Sequence, residues 1–133
     1  MTVPGMFVVL AGAAASAATL TDSGANFGRR SAADLPKGLT VTVAGPAATP
    51  DACFVIARYQ DNRPLMLARD GLWEPWDGDP ATLTDSGCVH EADQLAFEIT
   101  TNPLSDMPFP VVFTFGYRFL GETRSGFLTV DEQ

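Results

Sequence analysis

Val111 to Phe119 reads V-V-F-T-F-G-Y-R-F, and no other stretch restricts the fold as strongly. Val111, Phe113, Phe115, Tyr117 and Phe119 fall on one side of an extended chain, with Val112, Thr114, Gly116 and Arg118 on the other. A helix would scatter the same aromatics around its circumference, so strict alternation of β-favouring residues means a strand. Burying each of the five side chains is worth roughly 1.5–3 kcal/mol, enough for this strand to anchor a core.

Other segments repeat the pattern. Leu39, Val41 and Val43 alternate with Thr40 and Thr42, and Leu95, Phe97 and Ile99 alternate with Ala96 and Glu98. Cys53 to Tyr59 is apolar on both sides apart from Arg58, which predicts a central strand with both faces covered. Pro64 to Ala68 and Ser125 to Val130 complete the set. Leu120-Gly121-Glu122-Thr123 predicts a type II′ hairpin with Gly121 first in the loop. Gln60 to Arg63 predicts a second hairpin, with Pro64 at an edge or a strand start. Arg29 to Leu35 is the one place for a turn or two of helix. Seven or so short strands in a chain of 133 residues predict one all-β domain, a two-sheet antiparallel sandwich.

The heptapeptide A-T-L-T-D-S-G occurs twice, at Ala18–Gly24 and Ala81–Gly87. Each copy is followed by a strand, a Pro-containing loop, a strand, a turn and a strand. The plan is that of two diverged β–loop–β–turn–β units. The alternative is local: Asp and Ser bond nearby backbone and Gly accepts positive φ, so T-D-S-G suits a turn after any short strand.

Met6 to Ala15 resembles the apolar region of a signal peptide, and Ala15-Ser16-Ala17 is an A-x-A cleavage pattern. The first basic residue is Arg29, however, so either the true start lies upstream or this stretch is not a signal peptide. Residues 1–17 are therefore expected to be a signal peptide or an N-terminal apolar arm, with 18–133 forming the sandwich. As an arm, Met6 to Leu10 would join the sheet of a second copy, giving a homo-oligomer. The block is too short for a membrane-spanning helix, which needs about 20 residues.

Sixteen acidic residues against eight basic ones give a net charge of −8, which repels phosphate backbones and excludes nucleic acid as a partner. Cys53 and Cys88 are the two cysteines. An even count in a small β-rich chain predicts one disulfide and an oxidising compartment: extracellular, cell-surface or periplasmic. The alternative is a pair of buried free thiols.

Asp51-Ala-Cys-Phe-Val-Ile-Ala-Arg58, then Pro64-Leu-Met-Leu67 and Gly71-Leu-Trp73, resembles immunoglobulin-like sandwich modules of secreted bacterial surface proteins. Phe113 to Arg118 with its glycine turn is similar to their closing hairpin. The antibody-type Cys–Trp–Cys arrangement is not matched. The resemblance implies adhesion, scaffolding or assembly rather than catalysis.

The chemistry-bearing residues concentrate in the loop Asp70 to Asp85. Asp70, Asp77, Asp79 and Asp85 are hard oxygen donors that suit calcium, although the fixed offsets of an EF-hand are absent and a solvated acidic turn is the plainer expectation. Trp73 and Trp76 are anchors for a protein or carbohydrate partner, unless they fold back to plug the end of the sandwich. His90, Glu91 and Asp93 form the only His–carboxylate cluster and the sole hint of a small hydrolase. No cofactor is expected. The function read from these residues is a non-enzymatic exported structural or binding module at the cell surface. Its alternative is a subunit of an extracellular filament or pilus-like assembly.

Overall fold

The computed structural model describes residues 19–21, 24–31, 38–59, 63–100 and 110–131. Nine strands are present among them: β1 (Ala25–Ser31), β2 (Gly38–Ala44), β3 (Ala52–Tyr59), β4 (Pro64–Leu67), β5 (Trp73–Pro75), β6 (Val89–Glu91), β7 (Gln94–Thr100), β8 (Val111–Phe119) and β9 (Glu122–Asp131). A six-stranded sheet has the order β1-β9-β8-β3-β4-β5, and a three-stranded sheet the order β2-β7-β6. The chain is an all-β, immunoglobulin-like two-sheet sandwich. Among the described strands the pairing is antiparallel except that β1 runs parallel to β9; an isolated bridge, Thr19 to Ala44, is parallel as well. No helix among the described residues is long and apolar enough to cross a membrane.

The alternation in β8 sets the layers. Val111, Phe113, Phe115 and Tyr117 are buried towards the second sheet, together with Val55, Ala57, Leu128 and Val130. Val41, Val43, Leu95, Phe97 and Ile99 meet them from the three-stranded sheet. Phe115 sits at the junction, its ring 5.1 Å from Phe27 edge-on and 5.4 Å from Phe97.

The two units proposed from the repeat pair with each other. β2 pairs antiparallel with β7, and β3 with β8, while β4 and β9 flank β3 and β8 on the outside. The glycines that close the two heptapeptides, Gly24 and Gly87, both have positive φ, as a turn requires. Otherwise the copies differ. Thr21 bridges Ser125 with Leu20 buried beside it, whereas the second copy runs from a 3-10 turn at Pro80–Thr82 into irregular chain.

Three expectations are corrected. Arg29 to Ser31 lie in β1 rather than in a helical turn, because Phe27 and Leu20 fill the space left where β9 has Gly126 instead of a side chain. Nine strands replace about seven, since β1, β5 and β6 lack a strong alternating pattern and form against neighbours. The β8–β9 hairpin is a type I′ turn: Phe119 pairs with Glu122, and Leu120 and Gly121 take φ of 53° and 81°. This register sets Phe115 opposite Gly126 and admits Phe27, whereas a loop starting at Gly121 would set Phe115 opposite Leu128. The turn at 60–62, the segment 32–35 and residues 1–17 lie outside the described residues.

Candidate functional site

The segment from Trp76 to Cys88 leaves the edge strand β5, crosses the outward face of the six-stranded sheet and passes to the second sheet. Its path follows from what β3 exposes. Phe54 and Ile56 point away from the core cluster yet are only 4% and 6% exposed. Phe54 lies across Gly116 on β8, where an added Cβ would come within 2.7 Å of its ring. Neighbouring outward side chains tie the segment down. Arg118 donates to the Pro80 carbonyl, the Thr84 hydroxyl lies 3.7 Å from the Met66 sulfur, and the Trp76 amide donates to the Pro64 carbonyl at 3.2 Å.

Within the segment, the predicted site residues serve the chain's own backbone. The Asp77 carboxylate accepts from the Asp79 amide at 2.9 Å and from the Thr82 hydroxyl at 2.7 Å. Asp79 caps the 3-10 turn by accepting from the Ala81 amide at 3.0 Å, with Pro80 beginning the turn. The Trp76 indole donates to Thr82 Oγ1 at 3.0 Å and to the Asp79 carbonyl at 3.1 Å. Asp70 accepts from the Leu72 amide. Trp73 is partly buried against the core cluster and packs on Phe113, ring centres 6.1 Å apart.

Asp85 closes the crossing. β4 opposes β3 only from Ile56 to Arg58, so among the described residues the start of β3 has no strand on that side. There Asp85 Oδ1 accepts from the Cys53 amide at 3.0 Å and from the Gly87 amide at 2.9 Å, and the Ser86 amide donates to the Cys53 carbonyl at 2.8 Å. Arg69 pairs with the other Asp85 oxygen. Three residues after Asp85, Cys88 is bonded to Cys53, S–S 2.02 Å, so the expected disulfide links a central strand of one sheet to the entry of β6 in the other.

Among the described residues, no three His, Cys, Asp or Glu side chains meet in a cluster that could hold a metal ion. Asp77 and Asp79 share one turn, while Asp85 is engaged with Arg69 and the start of β3. His90 Nε2 lies 3.0 Å from the Pro46 carbonyl, to which it must donate, and so fastens the loop after β2. Glu91 and Asp93 are exposed. A groove of about 260 Å³ opens beside the disulfide, lined by Leu67, Arg69, Ser86, Gly87, Cys88 and Glu98 among others. Leu72 and Leu120 are 59% and 78% exposed in the turns after β4 and β8. Both strands run antiparallel to β3, so these turns share one end of the sheet.

Reading the residues in order missed Arg69, Thr82, Thr84 and Arg118, which fasten the segment. Asp79-Pro80 followed by Thr82 is a legible turn signal. The partners Pro64, Met66 and Arg118 are not, because only the fold brings them near. No family model matches the chain, and no curated protein or solved structure does either.

The two engaged carboxylates predict an acid response. Partial burial pushes Asp85 up, but the Cys53 and Gly87 amides together with Arg69 outweigh it and hold the group below its ordinary value. Asp77 is lowered first by the Asp79 amide and then by Thr82. A depressed folded pKa adds stability above the unfolded value, about 3.9, and that stability is lost as pH falls through the folded value. The segment should therefore loosen below about pH 4, read by emission of Trp76. Asp85→Asn should reduce the acid-dependent change, and superimposable titrations of the two proteins would contradict this assignment.

Proposed function

We propose that the chain is a non-enzymatic structural or binding module that works in an oxidising compartment, at or beyond the cell surface or in the periplasm. The observation that carries this reading is the Cys53–Cys88 bond, which joins the two sheets at the start of β3, where β8 pairs with it on one side and β4 does not reach it on the other. Disulfides of this structural kind persist outside the reducing cytosol. The Asp70–Asp85 loop supports the same reading: its carboxylates and Trp76 hold a surface segment in place over the sheet. A protein or carbohydrate partner would then meet a preformed surface. Trp73 and Trp76 contribute to it as supports, while Leu72 and Leu120 are the apolar tips free for contact.

Thiol trapping tests the compartment. Cells producing the natural chain are quenched with an alkylating agent before lysis, and the intact protein is weighed with and without prior reduction. The expected result is no adduct without reductant and two adducts after it. Two adducts without reductant would mean that the bond does not form in the cell and would overturn the assignment to an oxidising compartment.

A further inference from the structure

Asp79–Pro80 is the one Asp-Pro peptide bond in the chain, and it lies exposed in the crossing segment. Three donors converge on its carbonyl oxygen: the Thr82 amide at 2.9 Å, the Thr82 hydroxyl at 2.9 Å and the Trp76 indole at 3.1 Å. The amide supplies the ordinary bond of a 3-10 turn, whereas the other two donors are side chains. The Asp79 carboxylate reaches forward to the Ala81 amide at 3.0 Å, which lays it alongside the same peptide. Arg118 donates to the Pro80 carbonyl and fastens the far side of the bond to β8. A nucleophile and a set of oxyanion-binding donors therefore meet at one carbonyl.

We propose that the chain cuts itself once, between Asp79 and Pro80, with the Asp79 carboxyl as nucleophile and Trp76 and Thr82 as donors to the carbonyl oxygen. A carboxyl oxygen attacks the Asp79 carbonyl carbon and closes a cyclic anhydride. The C–N bond to Pro80 breaks, and the carboxyl proton passes to the Pro80 nitrogen, which leaves as a secondary amine. That nitrogen carries no hydrogen in the peptide, and its ring carbons make it easier to protonate than an ordinary amide nitrogen. Water, which reaches the exposed bond, then opens the anhydride and leaves Asp79 with a free α-carboxyl group. No other reactant is consumed. The event has no turnover, so it is compatible with a non-enzymatic module. Because the cut lies between the cysteines, Cys53–Cys88 holds the product together as a two-chain sandwich.

Asp77 positions the donors and sets when the cut occurs. The Thr82 hydroxyl has one proton and two acceptors in reach, the Asp79 carbonyl at 2.9 Å and Asp77 Oδ1 at 2.7 Å. It also accepts from the Trp76 indole at 3.0 Å. An ionised Asp77 takes the hydroxyl proton. A protonated Asp77 donates to the hydroxyl instead and frees that proton for the Asp79 carbonyl. The Asp79 amide and the Thr82 hydroxyl hold Asp77 below its ordinary value, so the change falls below about pH 4. From the sheet beneath, Arg118 of β8 faces the turn at Pro80, and Arg58 of β3 and Glu74 of β5 share that outward face.

The test holds the oxidised full chain at pH values from about 6 down to about 2 and follows its intact mass. Cleavage appears as the gain of one water with the disulfide intact, and after reduction as fragments ending at Asp79 and beginning at Pro80. The folded chain is expected to cut at least about tenfold faster than the same chain reduced and held in urea. Its rate should pass through a maximum, rising as Asp77 is protonated and falling where Trp76 emission shows that the segment has detached. Trp76→Phe and Thr82→Val should each slow the folded chain about tenfold or more, and Thr82→Ser should restore the rate. Asp79→Asn should abolish the cut. Asp77→Asn, whose amide donates to Thr82 without added acid, should move the rising limb to higher pH. Equal rates for the folded and unfolded chains would mean the ordinary acid lability of an Asp-Pro bond and would overturn the inference. So would an unchanged rate in both donor variants, or a folded chain that stays whole throughout. Free thiols in the trapping experiment would overturn the compartment alone: the fragments would part without reductant, and the cut would stand.

Discussion

Replacing Phe115 with alanine is expected to lower the unfolding free energy by about 3–5 kcal/mol, a large part of the 5–15 kcal/mol typical of a whole domain. The side chain is fully buried and bridges three elements: β8, which carries it, β1 through Phe27 and β7 through Phe97. Its partner across the β8–β9 ladder is Gly126, which offers no side chain to fill the void from that side. The cavity would loosen Phe27 as well, and with it the parallel pairing of β1. Arg118→Ala, on the opposite face of the same strand, removes one surface tie to Pro80 and should cost no more than about 1 kcal/mol. Urea melts decide this: a midpoint shift for Phe115→Ala several times that for Arg118→Ala is expected, and equal shifts would mean that the strand register is wrong.

Removing the disulfide by Cys53→Ser/Cys88→Ser should cost about 3–4 kcal/mol in the chain-entropy model, given the sequence separation of 35 residues. The sandwich is expected to survive. The core cluster lies mostly elsewhere, and Asp85 and Ser86 still hold the start of β3 through its amide and carbonyl. The loss should be local before it is global. Hydrogen exchange at the Cys53 position and at Ser86 should rise before exchange in β8. With the crossing segment loosened, Phe54 and Ile56 should become accessible to an apolar dye. Identical urea midpoints for the oxidised protein and the double variant would show that the bond constrains nothing the fold does not already hold.

Much of this fold is legible residue by residue. Strict alternation identifies β8, β2 and β7 to within a residue or two, because a half-buried strand must present every second side chain to the core. Continuous apolar character identifies β3 as central, since only a strand covered on both faces tolerates Phe54 and Ile56 beside Val55 and Ala57. The cysteine count leads to the disulfide, because a two-cysteine chain has one internal pairing to make. The repeated A-T-L-T-D-S-G is legible too, and the strands that follow its two copies pair with each other, β2 with β7 and β3 with β8.

What local pattern could not decide was anything set by a partner distant in sequence. β1 forms because Gly126, about a hundred residues later, leaves room for Phe27 and Leu20. The hairpin register follows from the same gap, at the cost of placing Leu120 at positive φ. Taken alone, the residues of the acidic loop suit a solvated turn and offer hard oxygen donors as well. Folding brings it over β3, β4 and β8, where its carboxylates find backbone amides and its tryptophan finds Thr82. Side-chain chemistry is a property of the residue, but whether an aspartate faces solvent or an unpaired amide depends on which strands have ended nearby. Only the tertiary structure contains that information.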